Sequence, residues 1–112
     1  MKTVAIITHD FQFGTRIADA VSASGCESYF PEMKENGELS ADLAVVDLDD
    51  ISPSPFELIH QLITKNENSV MVGCSSRVSK GLRDRAVGAG CSLVFTKSSL
   101  LKNISSVLDS IS

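Results

Sequence analysis

The sequence contains few basic residues, an odd number of cysteines and no long apolar segment, and each shortage excludes a class of protein. Ten lysines and arginines stand against 14 acidic residues, which gives a formal net charge of −4 and a pI near 5.0. Such a chain lacks the basic face that nucleic-acid phosphates or an anionic membrane would require. We therefore expect neither nucleic acid nor membrane among its partners.

The cysteines do not form a recognisable metal or redox motif. Cys26, Cys74 and Cys91 show no CxxC pair and no cysteine–histidine metal spacing. Each lies in or beside an apolar run, which predicts buried, reduced thiols, with a reactive thiol as the alternative.

Length and composition fit one globular domain spanning residues 1–112. Of the 112 residues, 43% are hydrophobic and 21% are charged, which is typical of a folded protein. Only the four apolar residues Val4–Ile7 follow Lys2, too few for the core of a signal peptide. No apolar run approaches the length that spans a bilayer. We therefore expect a cytoplasmic protein.

Five short apolar runs predict a parallel β-sheet. The first, third and fourth are almost continuously apolar, as is typical of strands covered on both faces. Because helical patterns separate most of the runs, we expect right-handed βαβ units and an α/β sheet with helices on both faces. The runs are Val4–Ile7, Ser28–Phe30, Leu43–Val46, Val70–Cys74 and Leu93–Phe95.

Four helical stripes are visible in the sequence. The clearest start is Ser54 as N-cap, with Pro55 at the first helical position and Glu57 at the third. For the last helix we expect Ser98 or Ser99 as the cap. The stripes are Phe13, Ile17, Ala20 and Val21 before Gly25; Phe56, Ile59, Leu62 and Ile63; Leu82, Ala86 and Ala89 before Gly90; and Leu100, Ile104, Val107, Leu108 and Ile111.

The connection between the second and third runs is the exception. It contains Pro31 and Gly37 and leaves room only for a short helix or an irregular crossover.

Charged and polar residues follow the apolar runs, where the carboxyl ends of parallel strands form the usual ligand-binding edge. Asp47, Asp49 and Asp50 end the third run, Ser75 ends the fourth and Lys97 the fifth. An aspartate can act as a nucleophile and form an aspartyl phosphate, while a lysine, a hydroxyl and Mg²⁺ stabilise the phosphoryl oxygens. The alternative is a solvated strand end in which Lys97 is only the ion-pair partner of Asp47.

These residues resemble the receiver domain of two-component response regulators, which has the CheY-like, flavodoxin-like fold. The segment ADLAVVDLDD, residues 41–50, is similar to the family's phosphoacceptor segment and places Asp47 at the phosphoacceptor position. AGCSLVFTKS, residues 89–98, is similar to the family's alanine-glycine turn, fifth strand and lysine, which is Lys97 here. Ser75 lies at the family's Ser/Thr position. The resemblance covers nearly the whole chain. It implies a three-layer sandwich with strand order 2-1-3-4-5, and a signalling module that is not an enzyme.

The sequence departs from this family at its metal site. The family's first strand ends in an acidic pair, whereas Thr8 and His9 stand at those positions here, followed by Asp10. The resemblance therefore implies a depleted Mg²⁺ site at Asp10, Asp47 and Asp49, with no other cofactor. The backbone carbonyl of Asp49 would be the main-chain ligand.

Two further departures lie near the lysine. Ser98 replaces the family's proline, and Val94 replaces its aromatic switch residue. The combined pattern is similar to the atypical or pseudo-receiver subset, which keeps the fold as an interaction module. The sequence thus predicts a stand-alone receiver-like module that acts through protein–protein interaction.

The resemblance also implies a docking face for a histidine kinase, a downstream effector or a second copy of the chain. In the family, the helix before the alanine-glycine turn, the fifth strand and the last helix form this face. Lys80, Arg83 and Arg85 lie on that helix, where a merely solvated helix face is the alternative.

Three other functions stay open. The chain could be a genuine phosphoacceptor in a phosphorelay, phosphorylated on Asp47. It could be a flavodoxin-like protein that binds a small ligand, although the loop THDFQFGT contains no phosphate-binding glycine pattern. His9 could bind a softer metal with Asp10 or Asp47, although no second histidine or cysteine stands at a useful spacing. We expect His60 on a solvated helix face, and no nucleophile–base pair typical of another enzyme class is visible.

Overall fold

Strands and helices alternate along the chain, as the apolar runs predict. The computed structural model describes residues 2–31, 39–49 and 54–111, and these residues form five strands and four helices. In chain order they are β1 (Thr3–Ile7), α1 (Phe11–Ala23), β2 (Glu27–Tyr29), β3 (Leu43–Asp47), α2 (Pro55–Lys65), β4 (Val70–Ser75), α3 (Lys80–Ala89), β5 (Leu93–Thr96) and α4 (Lys97–Ser110).

The five strands form one sheet in the order β2-β1-β3-β4-β5, and every pairing is parallel. This is the predicted order 2-1-3-4-5. The register aligns Asp47 with Cys74 and Ser75 with Thr96. The carboxyl ends of β3, β4 and β5 therefore lie side by side at one edge of the sheet.

Helices cover both faces of the sheet and make three layers. On one face, α1 and α4 pack against alternate residues of the central strands, such as Val4, Ile6 and Val45. On the other face, α2 and α3 pack against the intervening residues, such as Ala5, Ala44 and Val46. Because both faces are covered, every residue of β3 is buried, which explains the continuous apolarity of that run.

The predicted start of α2 is confirmed. Ser54 is its N-cap and accepts a hydrogen bond from the Glu57 backbone N–H, with Pro55 at the first helical position. The expected cap of the last helix is wrong. Thr96, rather than Ser98 or Ser99, caps α4, because its hydroxyl accepts from the Ser99 N–H at 3.1 Å.

The start of α4 follows directly from this cap. The strand passes into the helix without a loop, so Lys97 becomes the first helical residue. Lys97 therefore lies at the carboxyl edge of the sheet, directly after β5.

The three cysteines are free thiols. Cys74 and Cys91 are buried, as predicted, and Cys26 is partly buried. Burial raises the pKa of the Cys91 thiol to about 11 and also raises the pKa of Cys74. Both buried thiols are therefore protonated and poorly nucleophilic at neutral pH.

Two predictions fall outside the described residues. The short or irregular crossover helix would lie mainly in residues 32–38, and Asp50 follows the last described residue of its segment. Among the helices in the described ranges, none is long and apolar enough to cross a membrane.

Candidate functional site

Asp47, the last residue of β3, lies at the centre of the carboxyl edge and is completely buried. Its Oδ2 accepts a hydrogen bond from the Thr8 hydroxyl at 2.7 Å and lies 2.9 Å from Lys97 Nζ. Its Oδ1 accepts from the Asp49 backbone N–H at 2.9 Å. Asp47 is thus not a solvated strand end. It is a buried carboxylate, and three donors offset the cost of its burial.

Lys97 contacts the carboxylates of three acidic residues at this edge. Its Nζ lies 2.9 Å from Asp47 Oδ2, 3.4 Å from Asp49 Oδ2 and 3.8 Å from Asp10 Oδ2. Only 17% of its side-chain surface is exposed, and the ammonium also lies 4.9 Å from the centre of the Phe13 ring. Burial alone would lower the pKa of Lys97, but Asp47 and Asp49 outweigh that effect and raise it. Lys97 is therefore charged at neutral pH.

Thr8 and Asp10 occupy the end of β1 and the start of α1. The Thr8 hydroxyl donates to Asp47, and the same oxygen accepts the Asp10 backbone N–H at 3.0 Å. Asp10 is the N-cap of α1, because its Oδ1 accepts from the Phe13 N–H at 3.1 Å. His9 is exposed between them. A neutral hydroxyl, rather than a carboxylate, thus faces Asp47 from this strand.

Asp49 uses its side chain, a role that the sequence did not indicate. Its Oδ1 accepts from the Ser75 hydroxyl at 2.6 Å, and its Oδ2 accepts from the backbone N–H and the hydroxyl of Ser76 at 2.9 and 2.8 Å. Burial would raise the pKa of Asp49, but the hydrogen bonds from Ser75 and Ser76, with the charge of Lys97, lower it to about 2.

Ser76 was missed as a site residue. The only sequence signal was the pair of adjacent hydroxyls at the end of β4, which could equally be a turn. Ser75 is buried at the last position of β4, and its hydroxyl bonds with Asp49. Ser75 and Lys97 therefore both contact the carboxylate of Asp49. Lys97 also contacts Asp47.

The side chains at this edge can be compared with the ligands that Mg²⁺ requires. Mg²⁺ requires several oxygen ligands in near-octahedral positions, usually with one or two carboxylates among them. Here the ammonium of Lys97 lies between the carboxylates of Asp10, Asp47 and Asp49, and Thr8 donates a proton to Asp47. The described residues contain no group of three Asp, Glu, His or Cys side chains arranged to hold a metal. The described residues thus contain no preformed Mg²⁺ position, and the depleted site stays a prediction.

A shallow cleft opens beside the site between α1 and α4. It has a volume of about 280 Å³ and reaches Lys97 from the solvent side. Its lining is Asp10, Gln12, Phe13, Arg16, Lys97, Ser98 and Leu101.

The residues of the predicted docking face lie on the surface of α3. Lys80, Arg83 and Arg85 are all exposed. Lys80 pairs with Asp84 at 2.8 Å, and the guanidinium of Arg85 lies 4.3 Å from the centre of the Phe56 ring. His60 is exposed on α2, as predicted.

Comparison with known proteins shows the fold. No protein-family model and no curated protein matches the sequence. Solved structures do match. The chemotaxis protein CheY4 from Vibrio cholerae has a TM-score of 0.85 at 10% identity, over 100% of this chain and 99% of that one.

Two further matches are a CheY-like response regulator receiver domain protein from Methanospirillum hungatei and a response regulator from Burkholderia pseudomallei. The first has a TM-score of 0.80 at 15% identity, over 97% of this chain and 94% of that one. The second, solved with a phosphorylated aspartic acid, calcium ion and citrate, has a TM-score of 0.81 at 18% identity, over 100% of this chain and 67% of that one. The chain therefore has the CheY-like fold of response regulator receiver domains, as predicted.

Proposed function

We propose that the chain is an atypical receiver-like signalling module that binds protein partners, and that Lys97 rather than Mg²⁺ is the cation of its acidic edge. The observation that carries the proposal is the position of the Lys97 ammonium, within 4 Å of the carboxylates of Asp10, Asp47 and Asp49. The hydroxyl of Thr8 supports it, because it donates a second hydrogen bond to Asp47 Oδ2.

The Lys97 ammonium weakens the attraction of the acidic edge for a second cation. Two unit charges 4 Å apart interact by about 4 kcal/mol at an effective dielectric constant near 20, and a divalent ion doubles that repulsion. A magnesium ion that contacts all three carboxylates from the position of Lys97 Nζ would have to displace the ammonium. Displacement would break the ion pair of Lys97 with Asp47, which is completely buried.

The partner surface in this proposal consists of α3, β5 and α4. Exposed Lys80, Arg83 and Arg85 lie on the same helix as Val87, which is 52% exposed, and Leu93 of β5 is 38% exposed. A surface that mixes basic and apolar groups is complementary to a protein partner with acidic and apolar side chains, such as a kinase or an effector. A second copy of the chain is the competing partner.

The site is tested with beryllofluoride, which mimics a phosphoryl group on an aspartate. Amide chemical shifts are followed in the wild type, in Asp47→Asn and in Asp84→Asn, which makes the same charge change on exposed α3. The proposal expects no magnesium-dependent shifts at Asp47, Ser75 and Lys97 in any of the three. Such shifts in the wild type and Asp84→Asn, lost in Asp47→Asn, would contradict it.

A phosphoacceptor role for Asp47 is the second candidate. The 2.9 Å contact between Lys97 Nζ and Asp47 Oδ2, with a hydroxyl on the neighbouring strand end, favours it. With acetyl phosphate, an oxygen of Asp47 would form the new bond to phosphorus while the bond to the acetate leaving group breaks. Intact-mass spectrometry distinguishes the candidates, because only this one predicts the gain of one phosphoryl group, lost in Asp47→Asn.

A further inference from the structure

Phe30 is a half-exposed aromatic residue that lies against a glycine of α1. It directly follows β2, and it is 52% exposed. A Cβ added to Gly14, which is buried in α1, would lie 2.7 Å from Phe30 Cε1 and 3.2 Å from Phe30 Cζ. The edge of the ring therefore occupies the space that a side chain at position 14 would fill. Glycine has a low helix propensity, but here it permits this close approach of the ring to the helix.

The methyl group of Thr8 borders the same space. Thr8 Cγ2 lies 3.2 Å from the position of a Cβ on Gly14, so the ring of Phe30 limits where the methyl group can lie. A threonine side chain adopts staggered rotamers, and the position of its methyl group therefore fixes the position of its hydroxyl. In the structure that hydroxyl donates to Asp47 Oδ2 at 2.7 Å.

We propose that Phe30 and Gly14 are positioning residues of the site, and that together they hold Thr8 in the rotamer that directs its hydroxyl at Asp47. A half-exposed ring thus determines the geometry of one donor to a completely buried carboxylate. The inference rests on the proposed function, in which side-chain donors rather than Mg²⁺ offset the charge of Asp47.

Thr8 has one further restraint, which is polar. Its hydroxyl oxygen accepts the backbone N–H of Asp10 at 3.0 Å. Accepting that bond leaves the hydroxyl proton available for Asp47. Replacement of the Phe30 side chain does not remove the Asp10 backbone N–H, so a change in the Thr8 rotamer that follows it reports on the ring.

The test is a double-mutant cycle of Phe30→Ala and Thr8→Val, measured by urea denaturation. Valine keeps the methyl group beside the ring and removes the hydroxyl, so the packing of that methyl group cancels in the cycle. We expect Phe30→Ala to raise the equilibrium constant of unfolding about threefold or more further in the wild type than in Thr8→Val, because residues that share a partner are energetically coupled. Phe11→Ala is the matched control, since Phe11 is 82% exposed, and it should act equally in both backgrounds.

The rotamer of Thr8 is measured separately, from the three-bond couplings of its methyl carbon to the backbone nitrogen and carbonyl carbon. We expect the couplings of a single rotamer in the wild type and in Phe11→Ala, and averaged couplings in Phe30→Ala. Gly14→Ala should also change them, because its Cβ would displace the ring or the methyl group. Gly88→Ala is its control, since a Cβ there meets no atom within 4 Å.

If Phe30→Ala does not fold, Phe30→Leu replaces it in both measurements. Equal effects of the Phe30 substitution in the two backgrounds, or an unchanged single rotamer of Thr8, would overturn the inference. Neither measurement uses magnesium or a phosphodonor, so the inference can fail while the proposed function stands. Conversely, magnesium-dependent shifts with beryllofluoride would contradict the proposed function without altering the coupling between Phe30 and Thr8.

Discussion

At the scale of single residues, the site depends on the hydrogen-bond and ion-pair partners of each carboxylate. Asp47 is completely buried, and its Oδ2 has the Thr8 hydroxyl and the Lys97 ammonium as partners. A buried charge that loses one partner keeps the full cost of desolvation. We therefore expect the stability of the domain to depend on a neutral side chain, Thr8, that stands where the resembled family has an acid.

Thr8→Val tests this dependence. Valine keeps the shape of threonine but cannot donate to Asp47, so we expect a loss of about 1.5–3 kcal/mol in the free energy of unfolding, the range for hydrogen bonds to charged groups. Urea denaturation measures it. Thr64→Val is the control, because that hydroxyl bonds with the His60 carbonyl oxygen on the exposed surface of α2. Equal effects of both substitutions would contradict the role of Thr8.

The pH dependence of stability reports on Asp49. Its pKa is about 2 in the folded protein against an ordinary value of 3.8, so the folded state favours the ionised form. The stabilisation is complete above about pH 4 and is lost as the pH falls towards 2. We expect the stability difference between the wild type and Asp49→Asn to shrink over that window when urea denaturation is repeated at each pH. A constant difference down to pH 2 would contradict the hydrogen bonds of Asp49.

The residues of the site were only partly predictable. Asp47, Ser75 and Lys97 could be identified because each ends an apolar run, and parallel strands bring their carboxyl ends together. The roles of Thr8 and Ser76 could not, since a hydroxyl at a strand end has many possible partners. Its partner depends on a hydrogen-bond geometry that the spacing of residues does not contain.

At the scale of elements, the junctions between helices and strands decide the positions of the site residues. The sequence predicted α2 correctly from Ser54, Pro55 and Glu57, because an N-cap, a proline and an acid stand at their preferred positions. It misplaced the start of α4, since Thr96, Ser98 and Ser99 are all acceptable caps. The choice of Thr96 depends on the end of β5, which is a tertiary feature.

Gly90, at the junction of α3 and β5, gives a test at this scale. It ends α3 with a φ of +130°, and a Cβ there would overlap the side chain of Ile63 on α2. We expect Gly90→Ala to destabilise the domain by about 2–4 kcal/mol, because backbone strain and a steric clash add. Thermal unfolding measures the loss.

Gly88 provides the matched control for Gly90. It lies within α3, and a Cβ added there meets no atom within 4 Å. Gly88→Ala should therefore stabilise the domain by about 0.5–1 kcal/mol through helix propensity. A neutral Gly90→Ala would contradict the packing of the α3–β5 junction against α2.

At the scale of the whole molecule, the pattern of apolar residues specified most of the architecture. Continuous apolar strands separated by amphipathic helices predicted a parallel sheet covered on both faces, and the two cores on either side of it follow from the alternation along each strand. The strand order came from the resemblance to receiver domains. Periodicity alone does not distinguish one parallel order from another.

The charge balance of the carboxyl edge is also a property of the whole fold. Asp10, Asp47, Asp49 and Lys97 come from the ends of three different strands, and only the parallel sheet brings them together. One ammonium contacts all three carboxylates and offsets part of their charge, which is the basis for proposing that the module works without a metal. Replacement of Lys97 by an uncharged side chain should raise the attraction of the same edge for a cation.

The most direct measurement is therefore a magnesium titration of the wild type and of Lys97→Met, followed by the amide shifts of Asp10, Asp47 and Asp49. We predict no saturable response in the wild type and a saturable response in Lys97→Met, because the variant leaves three carboxylates without their cation. Saturable magnesium-dependent shifts at these residues in the wild type would contradict the account.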